Sequence, residues 1–157
     1  MTDEVRFYFA YGSNADPERF RGRVGRWRSC RPAWLDGHVL RFAEAVRSEG
    51  GGGAIVVPRE GGTVAGVLFE ITTEQLAAMD REEFDASHDA TGIGRRERWV
   101  VRTDTGSVEA EIYTLAIEGG RLPPSERYLS HILDGLRAAG HSEATLEAVR
   151  SIAAATA

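Results

Sequence analysis

Lysine is absent from this chain of 157 residues, so every basic side chain other than histidine is an arginine. Its absence excludes a Schiff-base lysine, a phosphate-loop lysine and any pyridoxal chemistry that uses one. The one cysteine, Cys30, can form no internal disulfide and has no second thiol with which to share a metal. No stretch approaches the roughly 18 apolar residues of a membrane span. The start, Met-Thr-Asp-Glu-Val-Arg, is charged and lacks the apolar stretch of a signal peptide. The expectation is a cytoplasmic protein with no membrane partner. A net charge of −5 also argues against a broad nucleic-acid surface. The 42% hydrophobic and 27% charged contents are those of an ordinary globular domain, here expected as one unit over 1–157.

The most informative stretch present is Phe7-Tyr8-Phe9-Ala10-Tyr11-Gly12-Ser13-Asn14. The aromatic run favours a buried strand. Gly12 and Asn14 are residue types that tolerate a sharp turn after it. A turn at a strand end can point several backbone N–H groups at one oxygen, so Tyr11, Gly12, Ser13 and Asn14 form a candidate substrate site. The bland alternative is a tight turn and nothing more. Downstream, Arg19, Arg21, Arg23, Arg26, Arg28 and Arg31 are interleaved with Phe20, Trp27 and Trp34. Such a cluster can bind single-stranded nucleic acid. In an acidic chain it reads instead as a solvated face whose rings turn to the core.

The rest of the chain supplies strands, turns and a helical end. Asp16-Pro17-Glu18 has the pattern of a capped helix start. A strand is expected around 39–42, a flexible glycine loop over 50–53, a strand at 54–57 and a turn at 60–63. Val64 to Ile71 reads as an apolar strand with a bulge or close approach at Gly66. Thr72 or Thr73 caps the next helix. Residues 99–102 and 108–115 flank the hairpin turn Asp104-Thr105-Gly106. Pro123-Pro124-Ser125 opens a helix ended by Gly140, and Ser142 caps a last one. The order of these elements, without regular strand–helix alternation, points to an α+β fold with a mixed or mostly antiparallel sheet that is open or curled into a barrel.

The helix from Glu74 carries a second clue. Leu76, Met79 and Glu83 share one face, whereas Glu82 points away. An acid on an apolar face needs a hydrogen bond or a cavity, and there its pKa tends upward, towards the range useful for proton transfer. Alternatively the helix ends near Glu83 and the side chain reaches water.

Several of these segments resemble the gamma-glutamylcyclotransferase family. The Tyr-Gly-Ser-Asn turn after the first strand is similar to that family's turn. Leu76-Ala-Ala-Met79-Asp80-Arg-Glu-Glu83 is similar to its Leu-x-x-Leu-Asp-x-x-Glu, whose last residue is the acid/base, which singles out Glu83. Pro123-Pro124-Ser125-Glu126-Arg127-Tyr128 is similar to its Pro-Pro-Ser-x-x-Tyr, with a tyrosine hydroxyl facing the pocket. Glu111-Ile112-Tyr113 resembles its aromatic strand position. Tyr113 and Tyr128 can equally be core rings with a hydroxyl at the edge. The chain departs from the family pattern after Glu83: Phe84 stands where the family has glycine, 85–94 is a longer segment, and Gly94, Arg95 and Arg96 replace Tyr-x-Arg. His88 and Asp89 fall in that segment, either as surface residues or at the border of the site.

The resemblance implies a small β-barrel with helices and an enzyme that cyclises a gamma-glutamyl amide to 5-oxoproline, releasing an amino acid or amine. It implies no cofactor and no metal, Glu83 as proton shuttle, and Tyr11, Gly12, Ser13, Asn14, Tyr113 and Tyr128 around the substrate. It is compatible with a homodimer. None of His38, His88, His131 and His141 lies in a motif that would activate Ser13 as a nucleophile. Two alternatives stand beside it: a small-molecule binding protein that kept the fold without the chemistry, and a cyclotransferase that removes a gamma-glutamyl group from a biosynthetic amine.

Overall fold

The computed structural model describes residues 4–48, 50–85, 94–115 and 119–156. Five strands form a closed barrel: β1 (Val5–Ala10), β2 (Ser29–Ser48), β3 (Gly51–Thr72), β4 (Gly94–Thr103) and β5 (Gly106–Leu115), in the order β1-β3-β2-β4-β5. The helices α1 (Pro17–Val24), α2 (Thr73–Asp80), α3 (Glu126–Ala139) and α4 (Glu143–Thr156) complete an α+β architecture. Strand β1 runs antiparallel to β3 and meets β5 in parallel at Tyr8 and Glu111, so the barrel is mixed. Among the described residues, no helix is long and apolar enough to cross a membrane.

Strands β2 and β3 are longer than local pattern indicates. β2 begins at Ser29, and its first part pairs with the end of β3, from Ser29 opposite Glu70 to Asp36 opposite Thr63. Arg31, Pro32 and Asp36 break the apolar alternation there, which hides the strand in the sequence. Pairing resumes at His38 opposite Pro58, leaving Gly37 alone to face 59–62. The expected turn at 60–63 is therefore a wide bulge inside one bent strand, with Gly37 and Gly61 both at φ +80°. The glycine run is also corrected. Gly51 and Gly52 belong to β3, and the Gly52 amide donates to the Pro123 carbonyl at 2.9 Å. A Cβ at Gly52 would collide with the Leu122 carbonyl, so these glycines let the segment before α3 lie directly on the strand.

The helix caps follow the side-chain chemistry. Asp16 accepts from the Glu18 amide at 3.0 Å, and Thr72 with Gln75 forms a reciprocal capping box. Ser125 caps α3 through the Tyr128 amide at 3.1 Å, and Gly140 ends it at φ +102°. Ser142 caps α4 through the Thr145 amide. The arginine-rich helix α1 turns Phe20 fully inward, stacked on Phe69 with centroids 4.2 Å apart, and Trp27 meets both rings edge-on. Gly66 marks a close approach: the Phe9 ring lies where its side chain would be.

Two contacts hold α3 against the barrel end. Gly135 brings α3 so close to the turn that a Cβ would strike the Ala15 carbonyl. Gly135→Ala should therefore destabilise by about 1–3 kcal/mol through overpacking, against a helix-propensity gain of at most ~1 kcal/mol. A lower Tm in a thermal melt is the expected result; a higher one would mean that α3 is not pressed on the turn.

His141, just after α3, is buried, donates from Nε2 to the Gly66 carbonyl at 2.7 Å and leaves Nδ1 without a partner. Burial pushes its pKa below the ordinary 6.5. Above that value both folded and unfolded chains carry a neutral ring. Below it the unfolded chain takes up a proton first, so stability falls with pH. His141→Gln should flatten that acid limb in urea titrations between pH 7 and pH 5 relative to the wild type.

Candidate active site

The turn that follows β1 is a single 3-10 turn, Ser13–Ala15, closed by Ala15 and Asp16 amides donating to the Gly12 and Ser13 carbonyls. Gly12 has φ −103°, an ordinary extended value, so its glycine is not required by backbone angle. It is required by space. A Cβ there would stand 3.1 Å from the Tyr128 hydroxyl. That hydroxyl oxygen accepts from the Ala54 amide at 2.9 Å. Tyr128 lines the cavity, and its hydroxyl keeps a proton to donate.

Asn14 is 6% exposed. Nδ2 donates to Glu83 Oε1 at 2.8 Å and to the Tyr8 hydroxyl at 3.1 Å, and lies 3.5 Å from the Met79 sulfur. Glu83 has 26% of its side chain exposed and stands 4.0 Å from Arg23 Nη1. It does not sit on a regular helix face. α2 ends at Asp80, and Arg81–Asp85 form a π-helical turn that carries Glu83 and Phe84 into the cavity.

That turn starts from a fixed point. Arg96 grips Asp80 bidentately at 2.8 and 3.0 Å, and the Tyr113 hydroxyl donates to Asp80 Oδ1 at 2.7 Å. The third arm of Arg96 reaches Glu111, a buried carboxylate, at 2.6 Å. The Tyr11 hydroxyl donates to the Tyr113 carbonyl at 2.6 Å, tying the strand end to the same wall. Burial raises the pKa of Tyr8, Tyr11, Tyr113 and Tyr128, and the charge of Glu83 adds to each rise. The four phenols therefore stay protonated as hydrogen-bond donors and polar walls, and none of them serves as a base.

Tyr11, Gly12, Ser13, Asn14, Glu83, Tyr113 and Tyr128 all line one cavity. Sequence reading did not place Arg19 and Arg23 in its wall; Phe84 and Gly94, marked there as departures, are in it too. Arg19 and Arg23 line it from α1, where their spacing of four on a helix beginning at Asp16 was the available signal. Phe84 lines it and packs edge-on to Tyr113, centroids 5.6 Å apart. Gly94 lines it without a side chain. His88 and Asp89 lie outside the described residues. Among the described residues no histidine lines the cavity, and no group of three His, Cys, Asp or Glu could hold a metal ion.

Residues 8–130 match the family described as gamma-glutamyl cyclotransferase, AIG2-like. The chain belongs to that family. A solved structure named gamma-glutamyl cyclotransferase superposes with a TM-score of 0.80 at 25% identity, over 95% of this chain and 88% of its own. A human protein described as uncharacterised gives 0.80 at 26% identity, over 96% and 89% of the two chains. A yeast gamma-glutamyl cyclotransferase described as specific to glutathione shares the fold at 12% identity, TM-score 0.63, over 96% and 97%. No curated protein matches the chain by sequence. Phe84 and Gly94, at which the sequence departs from the motifs it otherwise resembles, both border the cavity.

The clamp on Asp80 has a measurable consequence. Asp80→Ala strands Arg96 and the Tyr113 hydroxyl, at a cost of about 1–2 kcal/mol for half-exposed groups. Amide exchange in 81–85 should quicken, while exchange in the β1–β3 ladder keeps its order of protection. Unchanged exchange in 81–85 would mean that the π-helical turn holds its shape without Asp80.

Proposed function

We propose that this protein cyclises a gamma-glutamyl amide to 5-oxoproline and releases the amine or amino acid, with Glu83 carrying the proton. One observation carries the reading: a partly buried carboxylate, aimed by Asn14 at 2.8 Å, projects into a cavity otherwise lined by neutral tyrosines, a turn and two arginines. Such a site suits a reaction whose nucleophile belongs to the substrate.

The substrate's α-amine, entering uncharged, attacks its own γ-carbonyl carbon. The new N–C bond forms as the carbonyl oxygen becomes an oxyanion. Glu83 takes the surplus proton from the attacking nitrogen and passes it to the leaving nitrogen. The old C–N bond breaks, the carbonyl re-forms, and no net proton is gained or lost. Because the attack is intramolecular, holding the folded conformer contributes much of the rate. In this reading the Tyr128 hydroxyl and the amides of the 12–14 turn face the oxyanion, and Gly12 puts no side chain between them and it. Arg19 and Arg23 receive the glutamyl α-carboxylate. Tyr11 and Tyr113 wall the pocket and brace each other. A small-molecule gamma-glutamyl compound is thus the partner we assign.

The test is release of 5-oxoproline, followed by mass spectrometry, from a panel of gamma-glutamyl amino acids and amines. Glu83→Gln keeps the shape and the bond to Asn14 but cannot shuttle a proton. It should lower kcat by roughly 10²–10⁴-fold with an unchanged melting profile. A folded wild type that releases nothing from a broad panel, or a variant as active as the wild type, would defeat the assignment.

A further inference from the structure

Resting on the cyclotransferase reading, this inference concerns the half of the substrate that departs. We infer that the leaving group has an apolar body of about the size of a leucine or phenylalanine side chain, seated against Phe84, Tyr113 and Leu115. Glu83 must touch the leaving nitrogen, and Phe84 is the next residue on the same π-helical turn, so the departing group lies beside that ring. The ring is held in place by its edge-on contact with Tyr113 at 5.6 Å and an interplanar angle of 67°. The Tyr113 hydroxyl is committed to Asp80 at 2.7 Å, so Tyr113 offers the cavity its apolar ring. Leu115 lies two residues further along β5 on the same face, and it also lines the cavity. Its cross-strand partner is Gly94, which brings no side chain to fill the space before it.

The arginines lie on a different element. Arg19 and Arg23 line the cavity from α1, next to the turn. Among the described lining residues the only formal charges are theirs and that of Glu83. A charged leaving side chain would therefore be desolvated against three apolar groups without a partner, and a glycine would leave them bare.

The experiment measures kcat/KM of the full chain on gamma-glutamyl-glycine, -leucine, -phenylalanine and -glutamate, and on gamma-glutamyl-3-methylbutylamine. The apolar amides should exceed the glycine and glutamate compounds by roughly 10-fold or more. Phe84→Ala should shrink the leucine-over-glycine ratio by about 10-fold, while Phe84→Leu largely keeps it. Turnover that favours glycine or glutamate would overturn the inference and leave the cyclotransferase reading standing. So would a ratio indifferent to Phe84→Ala. No 5-oxoproline from any member would sink the two together.

Discussion

Strand β1 must satisfy two neighbours that run in opposite directions, β3 antiparallel and β5 parallel, and the barrel closes only through it. Both of its edges are thereby engaged, and Tyr8 and Phe9, on its opposite faces, are both buried. The same constraint sets the height of the site. Val5 pairs with Thr72, so α2 starts level with the beginning of β1 and runs back beside it. The six residues of β1 rise about 17–20 Å, and the eleven from Thr73 to Glu83 rise roughly 16 Å if near-helical. Glu83 therefore arrives opposite the turn at the other end of β1, where the Asn14 amide meets it at 2.8 Å.

The electrostatics of the cavity follow from that meeting. A lone carboxylate in a half-closed pocket is costly unless something receives its charge. Here Asn14 donates to it at 2.8 Å and Arg23 Nη1 lies 4.0 Å away. Around them, the raised tyrosine pKa values make the walls poor bases and steady donors. In the proposed reaction Glu83 is the group that changes its protonation state. The charged pairs that carry structure, Asp80–Arg96 and Arg96–Glu111, sit behind the wall and hold its parts together.

What could be read from the sequence was whatever is encoded locally. The Asp16, Thr72, Ser125 and Ser142 caps, the Asp104–Gly106 hairpin and the strand-to-turn step at Asn14 each rest on contacts within a few residues, and all of these elements are present. The features that escaped are set by distant partners. Gly51 and Gly52 read as a loop because nothing near them in sequence reveals that residues 122–125 lie on top of them. β2 read as short because its first part is defined by pairing with β3 across a bulge. Glu83 was singled out by α-helical geometry and by resemblance, yet it projects from a π-helical turn whose origin, Asp80, is fixed by strands fifteen or more residues onward. Arg19 and Arg23 were hidden by their neighbours, because a run of arginines looks solvated until one knows which two face a cavity.

The segment after Glu83 shows how a fold can keep its frame and alter its pocket. Arg96 carries three hydrogen bonds, so the frame around Asp80 and Glu111 is complete. Gly94, two residues earlier on β4, brings no side chain to the cavity. Phe84 brings a ring from the π-helical turn and packs it on Tyr113. That aromatic surface stands on the element that bears Glu83. A ring on the same turn as Glu83 keeps a fixed distance from that carboxylate even if the turn shifts. In the proposed reaction, apolar contact with the ligand and proton transfer to it would then be held in one geometric relation. The strand wall opposite, bare at Gly94, would face the group that leaves.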